Sequence, residues 1–133
     1  NEKIKKFLES AWPGKITCVL PSRGWMPLEL RGGGLTLGVR MPNYNFINLI
    51  MDIFQGPITG TSANISGRGN YYNIEDVVKD FKNMPLTPDL IISAGVLAEN
   101  KPSTVIEFDN NNIKIIREGA VSGEDVMKMW QEI

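Results

Sequence analysis

Two hydrophobic periods alternate along this chain, and that alternation limits its fold more than any other feature. Ile4, Phe7, Leu8 and Ala11 recur at helical spacing, and Pro13-Gly14 ends the run. Lys15 to Leu20 reads as a strand, as does Leu35 to Arg40, which Pro42 closes. Between them, Pro21 to Gly34 is an irregular excursion ending in consecutive glycines. Phe46, Ile47, Ile50 and Phe54 make one helical face, with Asn43 as the expected cap and Gly56 as the stop. Ile58 to Thr61 predicts a short strand. Asn73, followed by Asp76, predicts a capped helix carrying Ile74, Val77, Val78 and Phe81. Pro85 and Pro88 break the next connection. Leu90 to Ser93, Thr104 to Phe108 and Ile113 to Arg117 read as strands, the last two joined by an Asp-Asn-Asn-Asn turn. Ser122 with Asp125 caps a final helix whose Val126, Met129, Trp130 and Ile133 face inward. The order predicts an α/β fold with a twisted, open, mixed sheet flanked by helices.

The absence of histidine narrows the chemistry. It removes Ser–His and Cys–His nucleophilic catalysis and every histidine-ligated metal site. The lone cysteine, Cys18, lies in an apolar run and reads as a small buried residue. With a net charge of -1, any anion site must be built locally. No apolar stretch approaches the ~20 residues of a membrane span. Asn1-Glu2-Lys3 opens without the apolar core of a signal peptide. The expectation is a cytoplasmic protein with no membrane association.

The run Gly60-Thr61-Ser62-Ala63-Asn64-Ile65-Ser66-Gly67 concentrates small side chains, hydroxyls and an amide. Such a loop can bring several N–H and O–H donors close to an anion. It can equally be a plain polar connection. It is not a Walker A loop, because no Gly-Lys-Ser/Thr follows, and it does not match the dinucleotide fingerprint. Arg40 and Arg117 each end a predicted strand, where ligands of open α/β sheets gather. Each could be a solvated strand-end charge; together they could clamp a carboxylate or phosphate. Pro102-Ser103-Thr104 places two hydroxyls at the start of a strand.

In order, these segments resemble the YrdC-like threonylcarbamoyladenylate synthase family. Trp12-Pro13-Gly14-Lys15-Ile16-Thr17 is similar to its Trp-Pro-Gly-Pro-Leu-Thr. Val39-Arg40-Met41-Pro42 resembles its Val-Arg-x-Pro. Thr61-Ser62-Ala63-Asn64-Ile65-Ser66-Gly67 is similar to its signature nearly letter for letter. Pro102-Ser103-Thr104-Val105-Ile106 resembles the later Ser-Thr segment, and Arg117-Glu118-Gly119 its Arg-Pro-Gly. Lys15 and Glu118 stand where the family has proline, and Asn43-Tyr44-Asn45 replaces a histidine-proline. The family's amino-terminal third, with its lysine-x-arginine phosphate-binding motif, has no counterpart here. The expectation is therefore a single YrdC-like domain over 1–133 that lacks this third: either a piece of a longer protein, inactive alone, or a homologue that has lost activity.

The resemblance implies an L-threonylcarbamoyladenylate synthase, a nucleotidyltransferase in the biosynthesis of threonylcarbamoyladenosine in tRNA. ATP, L-threonine and bicarbonate would be its substrates and magnesium its helper ion. By motif position, Arg40, Gly60 and Ser103 would hold threonine. Thr36, Ser62, Asn64, Asn70 and Arg117 would contact ATP. No side chain is expected to act as a catalytic nucleophile, and no metal ligand is predicted. Candidate macromolecular partners are tRNA and the downstream threonylcarbamoyl transferase complex. Two other classes share these motifs. One is the carbamoyladenylate-forming domain of hydrogenase-maturation carbamoyltransferases, whose substrate is carbamoyl phosphate. The other is a non-enzymatic RNA-binding module, which a net charge of -1 does not favour.

Overall fold

A computed structural model of the chain describes residues 1–110 and 112–133. It divides into two compact units, Asn1–Gln55 with Lys101–Ile133, and Gly56–Asn100. The first unit contains α1 (Glu2–Ala11), β1 (Ile16–Pro21), β2 (Thr36–Val39), α2 (Asn45–Phe54), β3 (Thr104–Asp109), β4 (Asn112–Arg117) and α4 (Gly123–Gln131). The second contains α3 (Ile74–Phe81).

The strands of the first unit form one mixed sheet in the order β2-β1-β3-β4. β1 pairs with β2 antiparallel and with β3 parallel, and β3 pairs with β4 antiparallel. Alternation along the strands sends Ile16, Cys18, Thr104 and Ile106 to one face, where all four are buried. α1 contributes Phe7 and Ala11 to that core, and α4 contributes Val126 and Trp130. Phe7 meets Phe108 and Trp130 edge-on, each at 5.7 Å between ring centroids. Lys3 places its ammonium 4.4 Å from the centre of the Trp130 ring and closes the core's outer side. On the opposite face Thr17, Val19, Val105 and Glu107 are half-buried.

Most helix ends match the sequence reading. The Asn73 side chain accepts from the Asp76 amide, and the Ser122 hydroxyl accepts from the Asp125 amide, so both expected caps form. The ends of α2 differ. Its first turn is preceded by Tyr44, which makes no side-chain cap bond, so Asn43 is not the cap. It stops at Gln55, whose φ of 56° is left-handed, one residue before Gly56. The Gln55 side chain stabilises that stop by donating to the Asp52 carbonyl at 2.5 Å, which satisfies an otherwise unpaired helix-end group.

Two expected strands do not form. Residues 58–61 and 90–93 have no ladder partner among the described residues, and apolar alternation without a partner leaves a strand's backbone groups unpaired. The turn expected between β3 and β4 includes Asn111, which lies outside the described residues. Its neighbour Asn110 takes a φ of 53°, a left-handed conformation that asparagine tolerates.

Candidate functional site

The mixed direction of the sheet decides which candidate residues meet. β1 and β3 begin at the end where β2 and β4 finish, because Ile16 is opposite Thr104, Val39 opposite Cys18 and Arg117 opposite Val105. Arg40, Ser103 and Arg117 therefore gather at one end of the sheet. Thr36 is opposite Pro21 at the other end of β2, roughly 13 Å from Arg40 at ~3.3 Å per residue.

At the shared end, the hydroxyls of Thr17 and Ser103 are 2.8 Å apart. The Arg117 guanidinium donates through Nη2 to the Ser103 carbonyl at 2.9 Å. The Gly14 amide donates to the Met41 carbonyl at 2.8 Å, which ties the chain just after Arg40 to the turn before β1. Arg40 itself is exposed, and among the described residues no acidic side chain pairs with it. This end thus presents a free guanidinium, a second guanidinium with donors to spare, and a pair of hydroxyls. Such a set suits a carboxylate or phosphate.

Beneath it, the Thr104 hydroxyl is a buried hub. It accepts from the amides of Gly119 at 3.0 Å and Val121 at 3.1 Å, and donates to the Val121 carbonyl at 2.5 Å. The Ala120 amide also donates to the Pro102 carbonyl at 2.8 Å. The turn after β4 is thereby drawn onto the residues around Ser103. Gly119 makes the approach possible, since a Cβ there would lie 2.2 Å from the Pro102 oxygen. Glu118 accepts from the Gly123 amide at 2.9 Å and so fills an unpaired donor at the start of α4. That gives a local reason for an acidic residue where the resembling family has proline.

Cys18 is completely buried, and desolvation pushes its thiol up to about 12. It is no nucleophile at neutral pH, as its apolar surroundings in the sequence suggest.

The second unit holds Gly60, Ser62, Asn64 and Asn70. Gly60, Ser62 and Asn70 are exposed, and the loop reverses at Gly67 with a φ of 84°. The Asn64 amide nitrogen donates to the Arg68 carbonyl at 2.7 Å, while its Oδ1 is buried with no hydrogen-bond partner. Half of this side chain therefore closes its own turn. The Arg68 amide donates to the Ile65 carbonyl at 3.0 Å. The Arg68 guanidinium pairs with Asp80 on α3, and the Tyr71 hydroxyl donates to the same carboxylate at 2.6 Å. The Tyr71 hydroxyl and the Asp80 carboxylate hold Arg68 above its ordinary range, and the bond to Asp80 holds the Tyr71 phenol up as well.

The Thr104 hydroxyl, one of the two that the sequence places at the start of a strand, is structural, and no sequence signal marks Thr17, Gly119, Arg68, Tyr71 or Asp80 as site residues. Thr17 and Ser103 touch only through the parallel register of β1 and β3. Arg68 and Asp80 are related by no helical or strand spacing.

The family model for the Sua5/yciO/yrdC group, described as telomere recombination, matches residues 1–119. Over 132 residues the chain is 30% identical to a threonylcarbamoyl-AMP synthase of Pyrococcus abyssi, which takes in 99% of this chain and 38% of that protein. It is 36% identical over 116 residues to the threonylcarbamoyl-AMP synthase of Buchnera aphidicola subsp. Baizongia pistaciae, with 86% of this chain and 59% of that protein covered. The crystal structure of P. abyssi Sua5 complexed with L-threonine superposes on all of this chain with a TM-score of 0.84 at 30% identity, over 38% of its own length. The chain thus spans between about two fifths and three fifths of the length of these relatives. The chain belongs to the Sua5/YciO/YrdC family.

Proposed function

We propose, from membership of this family, that the protein carrying this chain is an L-threonylcarbamoyladenylate synthase. Threonine and bicarbonate combine with ATP to give threonylcarbamoyladenylate, with pyrophosphate and water released. The names of the relatives support the reaction, and the threonine-bound relative supports the amino acid. The observation that carries the reading is the meeting of Arg40, Ser103 and Arg117 at one sheet end.

In this reading the Arg40 guanidinium grips the threonine carboxylate and Ser103, at the same sheet end, contacts the amino acid; the family resemblance assigns Gly60 to threonine as well. The threonine amine is then free to take up carbon dioxide as a carbamate. A carbamate oxygen attacks the α-phosphorus, its new P–O bond forms as the bond to pyrophosphate breaks, and the leaving group departs with the electron pair. Arg117 sits on the Ser103 carbonyl and directs its remaining donors to the nucleotide. The family resemblance assigns Thr36, Ser62, Asn64 and Asn70 to ATP as well. None of these groups needs to exchange a proton with the substrate. Catalysis rests on holding two anions together and neutralising the departing charge.

Magnesium is the expected companion of the triphosphate. Among the described residues no three His, Cys, Asp or Glu side chains are grouped to hold a metal ion. The described residues do not fit a protein-built magnesium cage, and the roles above do not depend on one. The product is a reactive mixed anhydride, which a threonylcarbamoyl transferase acting on tRNA would consume. The cytoplasm is the compartment that suits this chemistry. No helix among the described residues is long and apolar enough to cross a membrane.

The test is pyrophosphate release by the full-length protein with ATP, bicarbonate and magnesium, with and without threonine. Release that requires threonine supports the proposal. Release with carbamoyl phosphate in place of threonine and bicarbonate, or no release at all, defeats it.

A further inference from the structure

We propose that Asp80 is a positioning residue for the signature loop, acting on Ser62 to Gly67 through Arg68. The inference rests on the reading that this loop binds the nucleotide.

Within Ser62 to Gly67 only Asn64 and Ile65 are even half-buried, so the loop has few side chains with which to pack. Its position must be fixed from outside if it is to present donors in one geometry. The observed ties run in a single line. The Asn64 amide holds the Arg68 carbonyl, and the Arg68 amide holds the Ile65 carbonyl, so Arg68 is fastened to the loop by its backbone. Its guanidinium then reaches to Asp80 on α3. The helix is a firm anchor, capped by Asn73 at its start.

The two ends of the ion pair differ in environment. The Arg68 side chain is 57% exposed, whereas the Asp80 side chain is 8% exposed. An ion pair between exposed groups does little for stability. A carboxylate withdrawn from water needs its donors, and Asp80 has two, from Arg68 and from the Tyr71 hydroxyl. Tyr71 lies just beyond the loop on the way to α3. One carboxylate therefore fixes the loop's exit in two places, by a side chain on each side of Asn70. An acid at this place is consistent with positioning, because it neutralises Arg68 and leaves the loop's own N–H and O–H groups free for an anion.

The experiment compares full-length wild-type protein with Asp80→Asn, Arg68→Gln and Arg68→Lys. Pyrophosphate release gives separate KM values for ATP and threonine. Nuclear magnetic resonance gives backbone order parameters over residues 62–68. Asp80→Asn and Arg68→Gln should raise the KM for ATP about tenfold, equivalent to ~1.4 kcal/mol, and leave that for threonine within about twofold. The order parameters should fall in the loop while those of α3 hold. Arg68→Lys keeps the charge and the backbone ties and should recover most of the ATP affinity. An unchanged KM for ATP overturns the proposal, and so does an equal rise for both substrates with a lower melting temperature, which marks a merely structural pair. If wild-type protein releases no pyrophosphate, the synthase reading fails. The positioning claim is then decided by the order parameters alone, and an undisturbed loop in Asp80→Asn overturns it.

Discussion

The Thr104 hydroxyl donates to the Val121 carbonyl at 2.5 Å and accepts from the amide of the same residue at 3.1 Å. This reciprocal pair, completed by the Gly119 amide, pins the chain leaving β4 onto the start of β3. Thr104→Val keeps the shape and removes every one of these bonds, leaving two backbone donors and an acceptor unpaired in a dry site. Urea unfolding should show a loss of about 1–3 kcal/mol. Thr104→Ser should retain most of the stability, and equal losses in both variants would assign the effect to packing of the methyl group.

Gly119→Ala tests the close approach beside that hub. A Cβ at this position would fall against the Pro102 oxygen and the Ser103 carbonyl, which are backbone atoms and cannot swing away. The turn must shift, at a cost of about 1–3 kcal/mol. Because Ser103 also receives Arg117, the same substitution in the full-length protein should raise the KM for threonine. A variant with native stability and native KM would show that the turn has room to relax.

Arg40→Ala separates the two substrates. Arg40 has no acidic partner among the described residues, so its removal leaves no internal charge stranded. The melting temperature should stay within a degree or two, as for an exposed substitution worth under about 0.5 kcal/mol. The KM for threonine should rise by one to two decades, which matches the ~1.5–3 kcal/mol of hydrogen bonds to a charged group. Equal rises for threonine and ATP would assign Arg40 to the fold.

Ser62 and Asn64 should behave differently. Ser62 is exposed, so Ser62→Ala should weaken ATP binding and leave the apo melting temperature unchanged. Asn64 closes its own turn through the Arg68 carbonyl, so Asn64→Ala should weaken ATP binding and also lower stability by about 0.5–1.5 kcal/mol. Thermal melts with and without ATP measure both effects. Full ATP stabilisation in Ser62→Ala would make the hydroxyl a bystander.

Cys18 gives a pH prediction. Its folded thiol titrates at about 12, above an ordinary value of 9.0. The unfolded chain therefore loses this proton first as pH rises. The stabilisation is fully present below pH 9 and declines between there and about 12, by ~1.4 kcal/mol per pH unit. Cys18→Ala should flatten that part of the stability curve. A thiol reagent should label native protein only as fast as it unfolds, and rapid labelling at pH 8 would contradict the burial.

Periodicity and caps carried much of the fold. Phe7 and Ala11 announce one buried helix face, Asn73 and Ser122 announce two helix starts, and both depend on neighbours three or four residues away. The same local logic placed Cys18 in the core. It failed at residues 58–61 and 90–93, because a strand exists only where a second segment pairs with it, and no local pattern records the partner. It also named Arg40 and Arg117 as a possible clamp at strand ends, and Ser103 on a family likeness. Their meeting depends on β2 and β4 running antiparallel to β1 and β3, a choice made by long-range hydrogen bonding. The contact of Thr17 with Ser103, the Thr104 hub and the reach of Arg68 to Asp80 belong to the same class. Sequence alone determined which segments could be helices, which could be strands, and which residues had the chemistry to hold an anion. Tertiary structure decided which of those residues stand side by side, because register and backbone reversal join positions that lie far apart along the chain.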